Sequence, residues 1–189
     1  VTSKKKILFL ARVIKLKGID ILIEAMQNIS TEYDLVVVGD GDFLEHCEQL
    51  VKKINLENRV HFLGSCLSRE AAYYYRNCDI FVLPSRICLS ENVQLESWGF
   101  TINEAMALEV PVVTTDAVGS GYDLIIDEVT GAICKESDVL SLSEKINYII
   151  NNNKENVIGR NARARLLKIC NYEANYLAYN NAINKALGE

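Results

Sequence analysis

Several features are scarce in this chain of 189 residues. No apolar run approaches the roughly 18 to 20 residues that cross a bilayer, and Val1 onward lacks the charged, apolar and cleavage-site succession of a secretory leader. No transmembrane segment is expected, and the chain reads as soluble and cytoplasmic. Basic charge is also scarce: 20 Lys and Arg stand against 25 Asp and Glu, a net charge of -5. The short "KKK" of Lys4 to Lys6 is a solvated lead-in to the first strand, and without a basic face nucleic acid is a poor partner. There are two histidines, His46 and His61, and six cysteines spaced 10 to 46 residues apart with no C-x-x-C pair. That argues against a zinc site and a disulfide framework, and most of the thiols are expected to be small core residues.

With 49% hydrophobic residues the chain can bury a core, and residues 1–189 are expected to form one domain. Short β-rich apolar runs alternate with segments of helical spacing: "KILFLAR", "IDILIEAMQNI", "DLVVVGDG", "FLEHCEQLVKKI", "RVHFLG", "SREAAYYYRNC", "DIFVLPS", "TINEAMAL", "VPVVTTD" and "TGAICK", followed by mostly helical sequence from Asp138. Strands apolar on both faces and separated by helices imply parallel βαβ units. The expected fold is α/β, a Rossmann-like doubly wound parallel sheet of about six strands flanked by helices, with a ligand crevice at the carboxyl ends of the strands. Those ends are Ala11 and Arg12, Gly39 to Asp42, Gly64 to Cys66, Pro84 to Arg86, and Thr114 to Gly121. The polar loop Ser85 to Ser97 is long enough to be functional.

The "VVVGDGDF" run invites comparison with a dinucleotide fingerprint, but G-x-G-x-x-G would require glycine at position 44, where Leu44 stands. Gly39 and Gly41 are left as a tight strand-to-helix turn or as part of a loop lining another ligand. Arg12 and Lys17 fall in the loop after the first strand, where a guanidinium fork and an ammonium could meet one diphosphate. Glu96 and Glu104 stand eight positions apart around Trp98, Gly99 and Phe100. "TINE", Thr101 to Glu104, is itself a capping box, with Thr101 as N-cap and Glu104 reaching back to its amide. A helix beginning there would turn the N–H groups of Gly99 to Ile102 toward the crevice as an anion site. Carboxylates beside an anion are tolerated where they accept hydrogen bonds from hydroxyls, which points to sugar at both glutamates.

In this order, Arg12-x4-Lys17-Gly18, "VVVGDGD", "VHFLG", "DIFVLPS", "ESWGFTINEAMA" and "VPVVTTDAVGSGYDLI" resemble the nucleotide-sugar-binding half of GT-B glycosyltransferases of family 4, the group 1 transferases. The resemblance covers about residues 7 to 135. It implies a donor-binding domain of a retaining, metal-independent glycosyltransferase, with an N-terminal acceptor-binding domain of the same enzyme lying outside this chain. The donor is expected to be a UDP- or GDP-linked sugar and the acceptor a glycan or glycolipid, with no cofactor. Any membrane contact would be peripheral, through the missing half.

Carried over to this chain, Arg12 and Lys17 clamp the diphosphate and Glu96 contacts the donor sugar. The backbone of Gly99, Phe100 and Thr101 binds sugar hydroxyls or phosphate, Glu104 holds the ribose, and the nucleobase lies near Cys66 and Leu67. Gly39 and Gly41 are counted with the donor-binding positions. Three departures from the family pattern stand out: Ala11 where glycine is usual, Glu109 where a helix end favours glycine, and a longer loop from Arg86 to Leu95. Other readings are a non-catalytic nucleotide-sugar-binding module, one half of a GT-B-type sugar-nucleotide epimerase, and a NAD-binding domain, the last disfavoured by Leu44.

Overall fold

The computed structural model describes residues 4–89 and 94–187. Six parallel strands form one sheet in the order β3-β2-β1-β4-β5-β6. They are β1 (Lys5–Leu10), β2 (Tyr33–Val38), β3 (Val60–Phe62), β4 (Ile80–Leu83), β5 (Val112–Thr115) and β6 (Ala132–Cys134). Between them run α1 (Ile19–Ala25), α2 (Leu44–Lys53), α3 (Ser68–Arg76), α4 (Phe100–Ala107) and α5 (Gly119–Leu124). Beyond β6 come α6 (Val139–Asn152), α7 (Val157–Ile169) and α8 (Tyr172–Leu187).

β4 and β5 are buried at every position, so their apolar runs have no solvent face to alternate with. Two clusters of buried side chains fill the two faces. One joins the sheet to α1, α2 and α6 through Leu22, Ile23, Cys47, Val51, Leu142 and Ile146. The other joins it to α3, α4 and α7 through Tyr75, Ile102, Met106, Ala162 and Leu166. The strand order reverses between β1 and β4, and the loops leaving those two strands diverge to opposite faces there. That opening is where a ligand crevice is expected in a doubly wound sheet.

One expectation needs correcting here. Only Cys47 and Cys134 are buried; Cys66, Cys78 and Cys88 are half-buried, Cys170 is exposed, and all six are free. Cys66 and Cys88 lie in loops leaving the strand ends and Cys170 follows the last turn of α7, which keeps these three out of the fully buried core, although Cys66 and Cys78 pack against the edge of the second cluster. Within the long loop Arg86 to Leu95, residues 90–93 lie outside the described ones. At the end of α4, Glu109 adopts a left-handed backbone, φ 60°, as its glycine-favouring position demands. Its carbonyl accepts from Asn156 Nδ2 at 2.9 Å and its carboxylate from Arg163 at 2.9 Å, contacts that hold the turn against the strain.

Asp34 on β2 is a buried carboxylate, 1% exposed, that accepts from Lys4 Nζ at 3.0 Å and lies 3.1 Å from His61 Nε2. Burial opposes its ionisation, but the hydrogen bonds from Lys4 and His61 outweigh that, so it titrates below its ordinary value of 3.8. A depressed carboxyl pKa adds stability that is present above the unfolded value and fades as pH falls through the folded one. Asp34→Asn is therefore expected to lose about 1 kcal/mol at pH 7, a modest figure because the side chains of both partners, Lys4 and His61, are partly exposed. Urea denaturation of the two proteins should show that difference closing as pH falls below 3.8.

Candidate functional site

The crevice is built by packing the loop after β1 against the loops after β2 and β4. Val13 is fully buried; its amide donates to the Asp40 carbonyl at 2.9 Å and its carbonyl accepts from Phe43 at 3.1 Å. A Cβ at Gly39 would overlap the Ala11 carbonyl oxygen, and one at Gly41 the Val13 carbonyl oxygen. What these two glycines do in the structure is let the β2–α2 turn lie backbone to backbone on the β1–α1 loop. On the other side Gly18, in a left-handed conformation at φ 67°, sits under the Pro84 carbonyl with no room for a Cβ. The Arg86 amide donates to the Leu16 carbonyl at 2.9 Å, and the Arg86 guanidinium forms an ion pair with Asp20 in the first turn of α1.

Lys17 stands in the short 3-10 turn between these contacts. Its ammonium forms an ion pair with Glu96, and each side chain is only 14% exposed. Glu96 is set in place by its own backbone: its carbonyl accepts from the Gly119 amide at 3.0 Å, and two residues on the Trp98 carbonyl accepts from Ser120 at 3.2 Å. The loops after β1, β4 and β5 thus converge on one partly buried charge pair. Arg12, on the same loop as Lys17, is exposed and makes no ion pair among the described residues. The expected pairing of Arg12 with Lys17 on one anion is not preformed; the structure joins Lys17 to Glu96 instead.

α4 begins two residues earlier than the capping-box spacing indicates. Gly99 is its N-cap, in a left-handed conformation at φ 84°, and Phe100 is its first residue. Thr101 therefore lies inside the helix, and the Thr101–Glu104 box is not formed; Glu104 instead accepts from the Tyr75 hydroxyl at 2.8 Å. The Ile102 amide is taken by the Gly99 carbonyl at 2.9 Å, which removes it from the expected anion site. The amides of Gly99, Phe100 and Thr101 donate to no group among the described residues, so three N–H groups remain at the positive end of the helix. Phe100 offers only its backbone to the site, because its ring points to solvent at 73% exposure. Trp98 is fastened by its indole N–H to Asn103 Oδ1 at 2.9 Å.

Beyond β3, the Gly64 carbonyl accepts from the Gly39 amide at 2.8 Å, which draws the Cys66–Leu67 segment to the same end of the sheet. Leu67 is exposed, and its amide donates to Glu70 Oε2 at 3.0 Å at the start of α3. Burial raises the Cys66 thiol pKa, and the charges of Glu70 and Glu104 add to the rise, which places Cys66 within electrostatic range of Glu104. Three residues given no role by the sequence help to build the site: Arg86, Asp20 and Tyr75. The Arg86–Asp20 pair spans 66 positions, and "YYY" shows no preference among its three rings, so local pattern held no signal for either.

The sequence profile of the family described as Glycosyl transferases group 1 matches residues 1–165. The chain is 32% identical over 157 residues to an uncharacterized glycosyltransferase of Methanocaldococcus jannaschii, covering 82% of this chain and 41% of that protein. It is 30% identical over 162 residues to the capsular polysaccharide biosynthesis glycosyltransferase CapM of Staphylococcus aureus, covering 84% of this chain and 40% of CapM. Among solved structures, Anabaena HepE in complex with UDP-glucose superposes with a TM-score of 0.78 at 26% identity, over 98% of this chain and 49% of HepE. The C-terminal domain of a group 1 glycosyl transferase from Francisella tularensis gives a TM-score of 0.76 at 26% identity, over 89% of this chain and 87% of that domain. This chain thus spans about two fifths of the length of the curated relatives it matches.

Proposed function

Because the chain belongs to the group 1 glycosyl transferases, we propose that it binds a nucleoside diphosphate sugar along the carboxyl ends of β1, β3 and β4 and supplies the donor side of a glycosyl transfer. The observation that carries this reading is the partly buried Lys17–Glu96 pair beside the amides of Gly99, Phe100 and Thr101, which have no acceptor among the described residues. It sets a cation, a carboxylate and a helix N-terminus at one point of the crevice, which is the chemistry of a diphosphate next to a sugar. An ammonium has three donors, so Lys17 can keep one on Glu96 and turn the others to a phosphate oxygen. Arg12 then swings in from solvent as the second cation. Glu96 accepts from donor-sugar hydroxyls, Glu104 from the ribose, and the base stacks near Cys66 and Leu67.

In this reading the enzyme is of the family 4 type, retaining and metal-independent. The bond from the anomeric carbon to the diphosphate breaks as the acceptor hydroxyl attacks the same face, and Lys17 and Arg12 meet the charge growing on the departing phosphate. HepE, at 25% to 26% identity, binds UDP and UDP-glucose, which supports UDP as the nucleotide here. The acceptor, a glycan or glycolipid, would be held by a further domain of the longer protein, as the coverage of the relatives and the naming of CapM for capsular polysaccharide suggest. A cytoplasmic setting fits a donor of this kind, and among the described residues no helix is long and apolar enough to cross a membrane.

Calorimetric titration with UDP, GDP and ADP and their sugar conjugates tests the proposal. One diphosphate is expected to bind well ahead of the other two, with its sugar conjugate competing for the same site. Failure of every diphosphate and conjugate to bind the folded protein would sink the reading.

A further inference from the structure

Tyr75 is 1% exposed in α3, its ring edge-on to Phe81 with centroids 5.5 Å apart. Its hydroxyl donates to Glu104 Oε2 at 2.8 Å, with the Thr101 carbonyl at 3.3 Å as a weaker second acceptor. Glu104 is exposed on the crevice side of α4. A buried hydroxyl that needs a partner could have used Thr101 alone; here it reaches a carboxyl side chain that is otherwise solvated. We propose that Tyr75 is a positioning residue for nucleotide recognition, holding one oxygen of Glu104 so that the other is presented to the ribose hydroxyls. This rests on the reading of Glu104 as the ribose ligand.

Three features make the arrangement suitable. The donor is permanent, because burial, reinforced by the charge of Glu104, raises the tyrosine pKa and keeps the phenol protonated at any physiological pH. The acceptor is divided, because a carboxylate has two oxygens and, among the described residues, Oε2 alone is engaged. The tether is stiff, because Tyr75 is packed in the core between the sheet and α4. A free glutamate would have to freeze its side-chain torsions on binding, whereas a tethered one has already done so.

The test is calorimetry on the intact protein with UDP and GDP and with the 2′-deoxy and 3′-deoxy forms of each, applied to wild type, Tyr75→Phe, Glu104→Gln and the double variant. Wild type is expected to favour the ribonucleotide by about tenfold to a hundredfold over at least one deoxy form, the size of a hydrogen bond to a charged group. Glu104→Gln should abolish most of that preference. Tyr75→Phe keeps the ring and its packing, and should reduce the preference by about three- to tenfold. In the double variant the Tyr75 change should have no further effect, since the group it acts through is gone.

A purely structural hydroxyl would lower the melting temperature and leave the ribo-to-deoxy ratio alone. Full preference retained in Tyr75→Phe, with Glu104→Gln impaired, would therefore overturn the positioning role and leave the ribose role of Glu104 standing. No preference in wild type, an unaffected Glu104→Gln, or no binding of either nucleotide would overturn the ribose reading itself, and the inference with it.

Discussion

Lys17→Ala is expected to lower the transfer rate of the intact enzyme by about 10²- to 10³-fold, the usual effect of removing one group that stabilises charge developing in the transition state. The prediction follows from where the ammonium sits. It is 14% exposed, at the meeting of three loops, beside the amides that open α4, so water cannot replace it as a counter-charge at low cost. The same burial complicates the experiment, because deleting Lys17 leaves Glu96 as an unpaired, mostly buried carboxylate. That is a stability defect of about 1 to 3 kcal/mol, apart from any catalytic one.

Glu96→Gln in the same chain separates the two effects. The double variant should recover most of the lost melting temperature, since no charge is left unpaired, and recover none of the rate. Near-normal rates in Lys17→Ala would remove it from the diphosphate. Recovery of both properties in the double variant would mean that the pair serves folding and not transfer.

The pair also shows how far the sequence could be read. The strands, the parallel sheet and the crevice at its carboxyl end followed from apolar runs separated by helical spacing, because such a pattern has few other ways to bury both faces. Lys17 and Glu96 each read as site residues in the sequence, but their contact does not. It joins positions 79 apart and depends on loops whose geometry is set by backbone contacts rather than side-chain pattern.

The start of α4 is the opposite case, a local rule that was present and lost. "TINE" satisfies the capping-box spacing, yet Gly99 enters the left-handed region and begins the helix two residues sooner. Glu104, freed from the cap, is taken by a hydroxyl 29 positions away. Competition between a local cap and a tertiary partner is decided by packing, and Tyr75 reveals its buried face only once α3 lies on the sheet.

Gly18→Ala is expected to be among the most damaging single methyls in the described part of the crevice, with Gly39→Ala. Two penalties combine there. The backbone is left-handed, and the added Cβ would overlap the Pro84 carbonyl oxygen, which cannot rotate away because Pro84 leads directly out of β4. Strain and overpacking of this kind together cost about 2 to 5 kcal/mol, a fall in melting temperature of roughly 5 to 20 °C for a chain of this size.

Gly64 supplies the control. It has a similar left-handed backbone, φ 72° against 67°, but nothing within 4 Å of where a Cβ would lie. Gly64→Ala should therefore show the backbone penalty alone, about 1 kcal/mol. The difference between the two variants isolates the contact of the β1–α1 loop with the β4–α4 loop. If that contact is what holds Lys17 against Glu96, Gly18→Ala should also weaken diphosphate binding at temperatures where the variant is still fully folded, while Gly64→Ala binds as wild type does. Equal losses of stability in the two variants would show that the loops yield to the extra methyl, and that the charge pair does not depend on their close approach.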